Sequence, residues 1–297
     1  LQKRRKFYNK KDAKQRFNDY DVSSSDIKEL EYSLKILTAD ALIRLDKDIC
    51  SIDILSARFE KLKKSDLKTI DKIYQLIEDC KNFGTLAFAH AARAGFVAVT
   101  ILKSLVKLGS LSYERMLELQ ASIPTVTSDF QSALNRDDLS IKDLVKKFGH
   151  LRPGTYDVNQ LAYWENPDFY FVRNKQLTLK KETDSKTFVF TEQETRGLQD
   201  VLDNLPVNID INDFILYLKK AIQARENTKF LFTKNLSLAI DLMIKYGTEE
   251  LDLKREDVGY LIIDDIIGLQ KDQLNKKMIQ ALINLRKVDF AEKHLTK

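Results

Sequence analysis

Apolar residues recur at three- and four-residue intervals along most of this chain, the spacing that places them on one face of an α-helix. The pattern begins after "SSSDIKEL", where Ser25 can cap and Ile27, Leu30, Leu34 and Leu37 follow, and it continues through Leu42 and Leu45. The same spacing predicts helices over 52–63 and 66–81, with Ser65 as the cap of the second. An alanine-rich helix follows over 85–108 and stops at Gly109. Ser112 opens a helix that ends before Pro124, and Thr127 or Ser128 opens a short one to about 135. Ser140 with Asp143 is a capping-box pattern for a helix over 141–148.

The pattern breaks after Gly149. Residues 150–175 are loop-like and aromatic. "QLTLKK" and "KTFVFT" then alternate around "ETDS", which predicts a hairpin at 176–191. Thr191 with Glu194 is a second capping box, opening a helix to about 203. Helical spacing returns at 211–222, 225–246 (ended by Gly247), 254–261, 264–268 and 271–294. The expected fold is mostly α, a multi-helix bundle with a small loop-and-hairpin insert near residues 150–191. It divides into an arm (1–22), a helical subdomain (23–149), the insert (150–191) and a second helical subdomain (192–297) packed on the first.

Composition changes this picture little. Four prolines in 297 residues, none before Pro124, favour long helices over a β-sandwich. Cys50 and Cys80 make neither a disulfide framework nor a metal spacing, and a reducing cytoplasm is expected. The polar N-terminus lacks the apolar core of a signal peptide. The apolar run 85–108 is interrupted by His90, Arg93 and Lys103, so it reads as a buried helix rather than a membrane span.

Charge is uneven. Residues 1–16 hold eight basic side chains against Asp12 alone, a net +7, which leaves −2 for the rest of a chain whose total is +5. Phe7, Tyr8, Phe17 and Tyr20 lie in or beside this arm, and basic-aromatic arms can bind nucleic acid. A solvated terminal helix or a strap onto a neighbouring domain is the favoured reading, because no basic stripe continues downstream. A helical interaction module, whose arm binds nucleic acid or an acidic partner, remains the alternative function. Such binding would collapse between low and moderate salt.

Three clusters can carry chemistry. The first is "FGHLRPGTYD", residues 148–157. Gly149 stands where a helix end takes a left-handed residue, and Pro153-Gly154 suits the centre of a type II turn. A stiff loop would present His150, Arg152, Tyr156 and Asp157 with little entropy left to lose. Arg152 can grip a phosphate or carboxylate, and His150 can donate a hydrogen bond or move a proton. A purely structural turn is an equal alternative. The second cluster is "FAHAARAGF", where His90 and Arg93 sit three apart among small residues. An internal acidic partner competes with a ligand there. The third is "QARENTKFLFTKNLS", where Arg225 and Lys229 are one turn apart with Glu226 between them. Two such cations repel unless a carboxylate or a bound anion intervenes, and an exposed charged face is the plain alternative. No glycine-rich phosphate loop and no metal-ligand cluster is present, and Asp264-Asp265 reads as a helix cap.

"FGHLRPGTYDV" resembles the "YGHLRPGTYDI" hallmark of bacterial proteins related to phosphoenolpyruvate synthase and pyruvate phosphate dikinase. "AFAHAARAGFVAV", "SIPTV", "AIQARENTKFLFTKNLS" and "REDVGYLIIDDI" are similar to stretches of the same relatives, so the resemblance spans about residues 85–270. It implies a helical, acceptor-binding middle domain of an enzyme that passes phosphoryl from ATP through a phosphohistidine to a small-molecule acceptor. His150 and Arg152 would border the acceptor pocket. His90, Arg93, Arg225, Glu226 and Lys229 would help line it, and Tyr156 and Asp157 would orient the loop. Neither an ATP-grasp motif nor a phosphohistidine segment is recognisable. ATP and Mg are therefore implied for a full-length enzyme, bound by partner domains and not by this chain.

Overall fold

The computed structural model describes residues 22–136, 138–172 and 188–295. Eleven α-helices run through them: α1 (Ser24–Lys64), α2 (Thr69–Asp79), α3 (Leu86–Leu108), α4 (Tyr113–Ser122), α5 (Val126–Asn135), α6 (Ile141–Phe148), α7 (Glu192–Asp203), α8 (Ile211–Glu249), α9 (Arg255–Val258), α10 (Ile263–Gln270) and α11 (Lys276–Leu295). No strand occurs among the described residues, and the mostly helical bundle is as expected. The hairpin expected at 176–191 falls largely outside the described residues; its described end, 188–190, is irregular.

Several starts follow their capping chemistry. Ser23, rather than Ser25, caps α1, with Asp26 completing the box. Ser112, Ser140 and Thr191 cap α4, α6 and α7. Thr125 caps α5, two residues before the expected start, because its side chain and that of Ser128 satisfy each other's backbone N–H groups. Gly109 ends α3 in the left-handed conformation at φ 75°.

Three expected breaks are absent. α1 runs for 41 residues through Asp46–Ser51, where its inward Asp48 meets His90 of α3. α8 runs for 39 residues, and Gly247 lies inside it, buried against Val258. α2 and α3 are joined by the π-helical turn Cys80–Thr85, so 69–108 is one helix with a local bulge. At that bulge Gly84 lies under the Phe232 ring, and buried Asn235 donates to the Leu76 carbonyl and to Cys80 Sγ. Residues 69–108 are long and apolar enough to cross a membrane, but here they pack against α1, α8 and α10.

The central contact is α3 against α8. Ala91, Ala94, Gly95 and Ala98 face Ala221 and Ala224, so the backbones come close. A Cβ at Gly95 would stand only 3.2 Å from the Ala221 carbonyl oxygen. Leu102, Leu105, Leu119, Leu198, Phe214 and Leu218 extend this core. At the far end of the bundle, α2, α10 and α11 enclose a second core around Ile73 and Ile279. A third cluster, Phe148 with Leu144, Ala133, Leu134 and Phe171, fastens α5, α6 and the aromatic loop beside α8. The groove described next lies between that cluster and the α3–α8 pair.

Candidate functional site

The loop after α6 is built differently from its expected turn. Gly149 is right-handed, at φ −60°, and not left-handed. It keeps its N–H on the Val145 carbonyl, and a Cβ there would lie 2.4 Å from that oxygen and 3.0 Å from Trp164 Cβ. Gly154 has no positive φ, so Pro153-Gly154 does not form a type II turn. The turn instead closes two residues later, with Asp157 N donating to the Gly154 carbonyl at 3.0 Å.

Rigidity comes from tertiary partners rather than from Pro-Gly. Arg152 is buried, and it donates to the Gln160 carbonyl (3.0 Å), Ser237 Oγ (3.1 Å) and Asp241 Oδ1 (2.6 Å). Asp241 also accepts Trp164 Nε1 at 3.2 Å. Burial pushes the Asp241 carboxyl up, and Arg152 and Trp164 offset this only in part. Arg255 of α9 holds the far side of the loop. It makes a bidentate pair with Glu165 (2.6 and 3.0 Å) and donates to the Val158 carbonyl at 2.7 Å. Burial raises the Glu165 carboxyl, but the Arg255 and Ala162 hydrogen bonds outweigh it and the net pKa is lowered.

Beneath this loop is a groove of about 650 Å³ between α3, α5 and α8. It brings His150, Arg152, Arg225, Glu226 and Lys229 together, with walls of Phe88, Phe96, Phe130, Tyr163 and Phe230. His90, Arg93, Tyr156 and Asp157 lie outside it. α3 turns Phe88, Ala92 and Phe96 toward the groove, which are four residues apart. His90 is two residues on from Phe88, roughly 200° around the helix axis. Its Nδ1 lies 3.0 Å from Asp48 Oδ1, so the acidic partner and not a ligand accounts for it. Arg93 and Tyr156 are exposed, and Asp157 accepts the Asn159 N–H at 2.9 Å within the turn.

Arg152 therefore spends its guanidinium mainly on this chain's own carboxylate and carbonyl, leaving Nε without a partner among the described residues. The cations left open are Arg225, whose guanidinium lies 4.8 Å over Phe96, and Lys229. Glu226 does not pair with them, because its carboxylate accepts the Thr127 N–H at the start of α5, at 3.2 Å.

His150 packs edge-on against Phe230, with ring centroids 4.5 Å apart. Burial, helped by the nearby Lys234 charge, pushes its pKa down to about 4, and a backbone hydrogen bond to Phe230 pulls the other way. The ring is neutral near pH 7, and its Nε2 is buried without a partner among the described residues. An unfolded histidine protonates at about 6.5, so this group favours the fold fully above that pH and loses the advantage as pH falls toward 4. His150→Asn is expected to flatten the acid loss of stability between pH 7 and 4 by roughly 3 kcal/mol, read from urea midpoints across pH.

The residues that sequence reasoning missed are Asp241, Ser237, Arg255, Glu165 and Thr127. Ser237 and Asp241 continue the Glu226–Phe230–Thr233 stripe of α8 at helical spacing, the one signal available beforehand. Comparison with protein-family models, curated proteins and solved structures finds no match to this chain.

Proposed function

We propose that this chain is the acceptor-binding helical domain of a phosphoenolpyruvate-synthase-like phosphotransferase. In this reading, phosphoryl passes from ATP through a phosphohistidine, on partner domains, to a small-molecule acceptor held in the groove. One observation carries it. The segments whose wording resembles that family are far apart in sequence, yet Phe88 and Phe96, Val126, His150 and Arg152, and Arg225 and Lys229 all border a single groove. Arg255, from a further such segment, clamps the loop.

Phosphoryl transfer depends mostly on positioning and charge stabilisation. Arg152 and Arg255 supply the positioning by holding the loop, while Arg225 and Lys229 supply open positive charge. With a pKa of about 4, His150 orients an acceptor hydroxyl and is a weak store for its proton. ATP and Mg belong to the partner domains and to no residue of this chain.

The test is a screen of hydroxylated and carboxylated metabolites against this chain by affinity-selection mass spectrometry. Retained compounds are then incubated with the full-length polypeptide, ATP and Mg, and followed by ³¹P NMR. The expected result is a retained compound that becomes phosphorylated. Retention with no phosphorylation, or no retained compound at all, overturns the reading.

A further inference from the structure

We infer that the groove takes a small organic anion that also carries a hydroxyl, with the anionic group between Arg225 and Lys229 and the hydroxyl against the His150 ring. The inference names the ligand class of the groove and rests on the functional reading above only for calling that ligand an acceptor.

Charge accounting comes first. Arg225 and Lys229 are four residues apart on α8, where like charges repel. Neither has an ion-pair partner among the described residues. The one carboxylate between them, Glu226, is turned to the α5 N-terminus, where the helix dipole also favours negative charge. The rim thus keeps two positive charges beside a groove whose own acid is already engaged. Arg225 is also held over the Phe96 ring, which limits its freedom before a ligand arrives.

The floor supplies the second requirement. His150 lines the groove as a neutral ring near pH 7, and the one unprotonated nitrogen of a neutral imidazole takes only a donor. A carboxylate or an unprotonated phosphate oxygen has no proton to offer, so the donor has to be a different group of the same ligand. The walls are aromatic, and the Phe88, Phe130 and Tyr163 rings suit the C–H groups of a sugar or polyol. The volume, about 650 Å³, fits a small metabolite.

The test is isothermal titration of this chain with glucose 6-phosphate and glycerate as anionic hydroxylated probes. Glucose, glycerol and sulfate are the comparators. Both anionic hydroxylated probes are expected to bind, the neutral ones to bind at least tenfold more weakly, and sulfate to fall between. Arg225→Ala and Lys229→Ala are each expected to weaken the anionic probes about tenfold, the loss typical of one charge-assisted hydrogen bond. Both side chains are exposed, so the variants should keep the wild-type circular dichroism. His150→Asn is expected to weaken glucose 6-phosphate and glycerate while leaving sulfate, which carries no proton near pH 7, unchanged. A stronger response to glycerate than to glucose 6-phosphate would assign the anionic group as carboxylate, and the reverse as phosphate. The inference is overturned if no probe binds at 20-fold excess over millimolar protein, if neutral probes bind as well, or if the rim substitutions change nothing. Binding as expected, without phosphorylation by the full-length polypeptide, would overturn the phosphotransfer reading and leave this one standing.

Discussion

Arg152→Ala is expected to destabilise the fold by about 3–5 kcal/mol, the typical effect of removing one partner of a buried charge pair. The side chain is 1% exposed and makes three hydrogen bonds, and its loss leaves Asp241 largely buried with Trp164 as its remaining donor. The chain has one tryptophan, so Trp164 fluorescence during urea unfolding reads the loop directly. A loss below about 1 kcal/mol would mean that the loop is fastened elsewhere. The double variant Arg152→Met with Asp241→Leu sharpens the test. Burial raises the Asp241 pKa more than its partners lower it, which means that holding this charge inside is costly. Removing both charges should therefore recover a large part of the lost stability. It should not recover loop order fully, because the Gln160 carbonyl loses its 3.0 Å donor and keeps only Arg255 Nη2 at 3.3 Å.

Gly95→Val is expected to cost roughly 1–3 kcal/mol, through forced separation of α3 and α8. The first added carbon alone would lie 2.9 Å from Arg225 Cβ and 3.2 Å from the Ala221 carbonyl oxygen. Arg225 Cδ, at 3.0 Å, can swing away, but its Cβ is fixed to the α8 backbone, and a helix carbonyl cannot move without disturbing its own hydrogen bond. The same substitution moves Arg225 off Phe96, so it should weaken anion binding as well as stability. Arg93→Ala, two residues earlier on an exposed position, is the control and should stay within about 0.5 kcal/mol of wild type. Urea midpoints of the two variants decide the matter. Equal midpoints would mean that the helices can part freely at this point.

Local chemistry was legible where its cause is local. The caps Ser112, Ser140 and Thr191, the left-handed stop at Gly109 and the helical character of the chain all depend on residues within a turn of one another. Joins between helices were less legible. The polar run Asp46–Ser51 looked like a break, but Asp48 faces inward to His90, 42 residues later, and the helix continues. Pro153-Gly154 looked like a type II turn, but contacts from Arg152 and Arg255 set the loop's course instead.

The amino-acid order alone settled that this is a helical bundle, and it singled out His150, Arg225, Glu226 and Lys229, because periodicity and charge spacing are properties of short windows. Only the folded chain decided that these four meet in one groove, that Arg152 is bound to Asp241, and that His90 answers to Asp48. Each of those outcomes depends on which helix lies beside which, and the close approach of α3 to α8 at Gly95 and Ala221 makes that choice from residues more than a hundred positions apart.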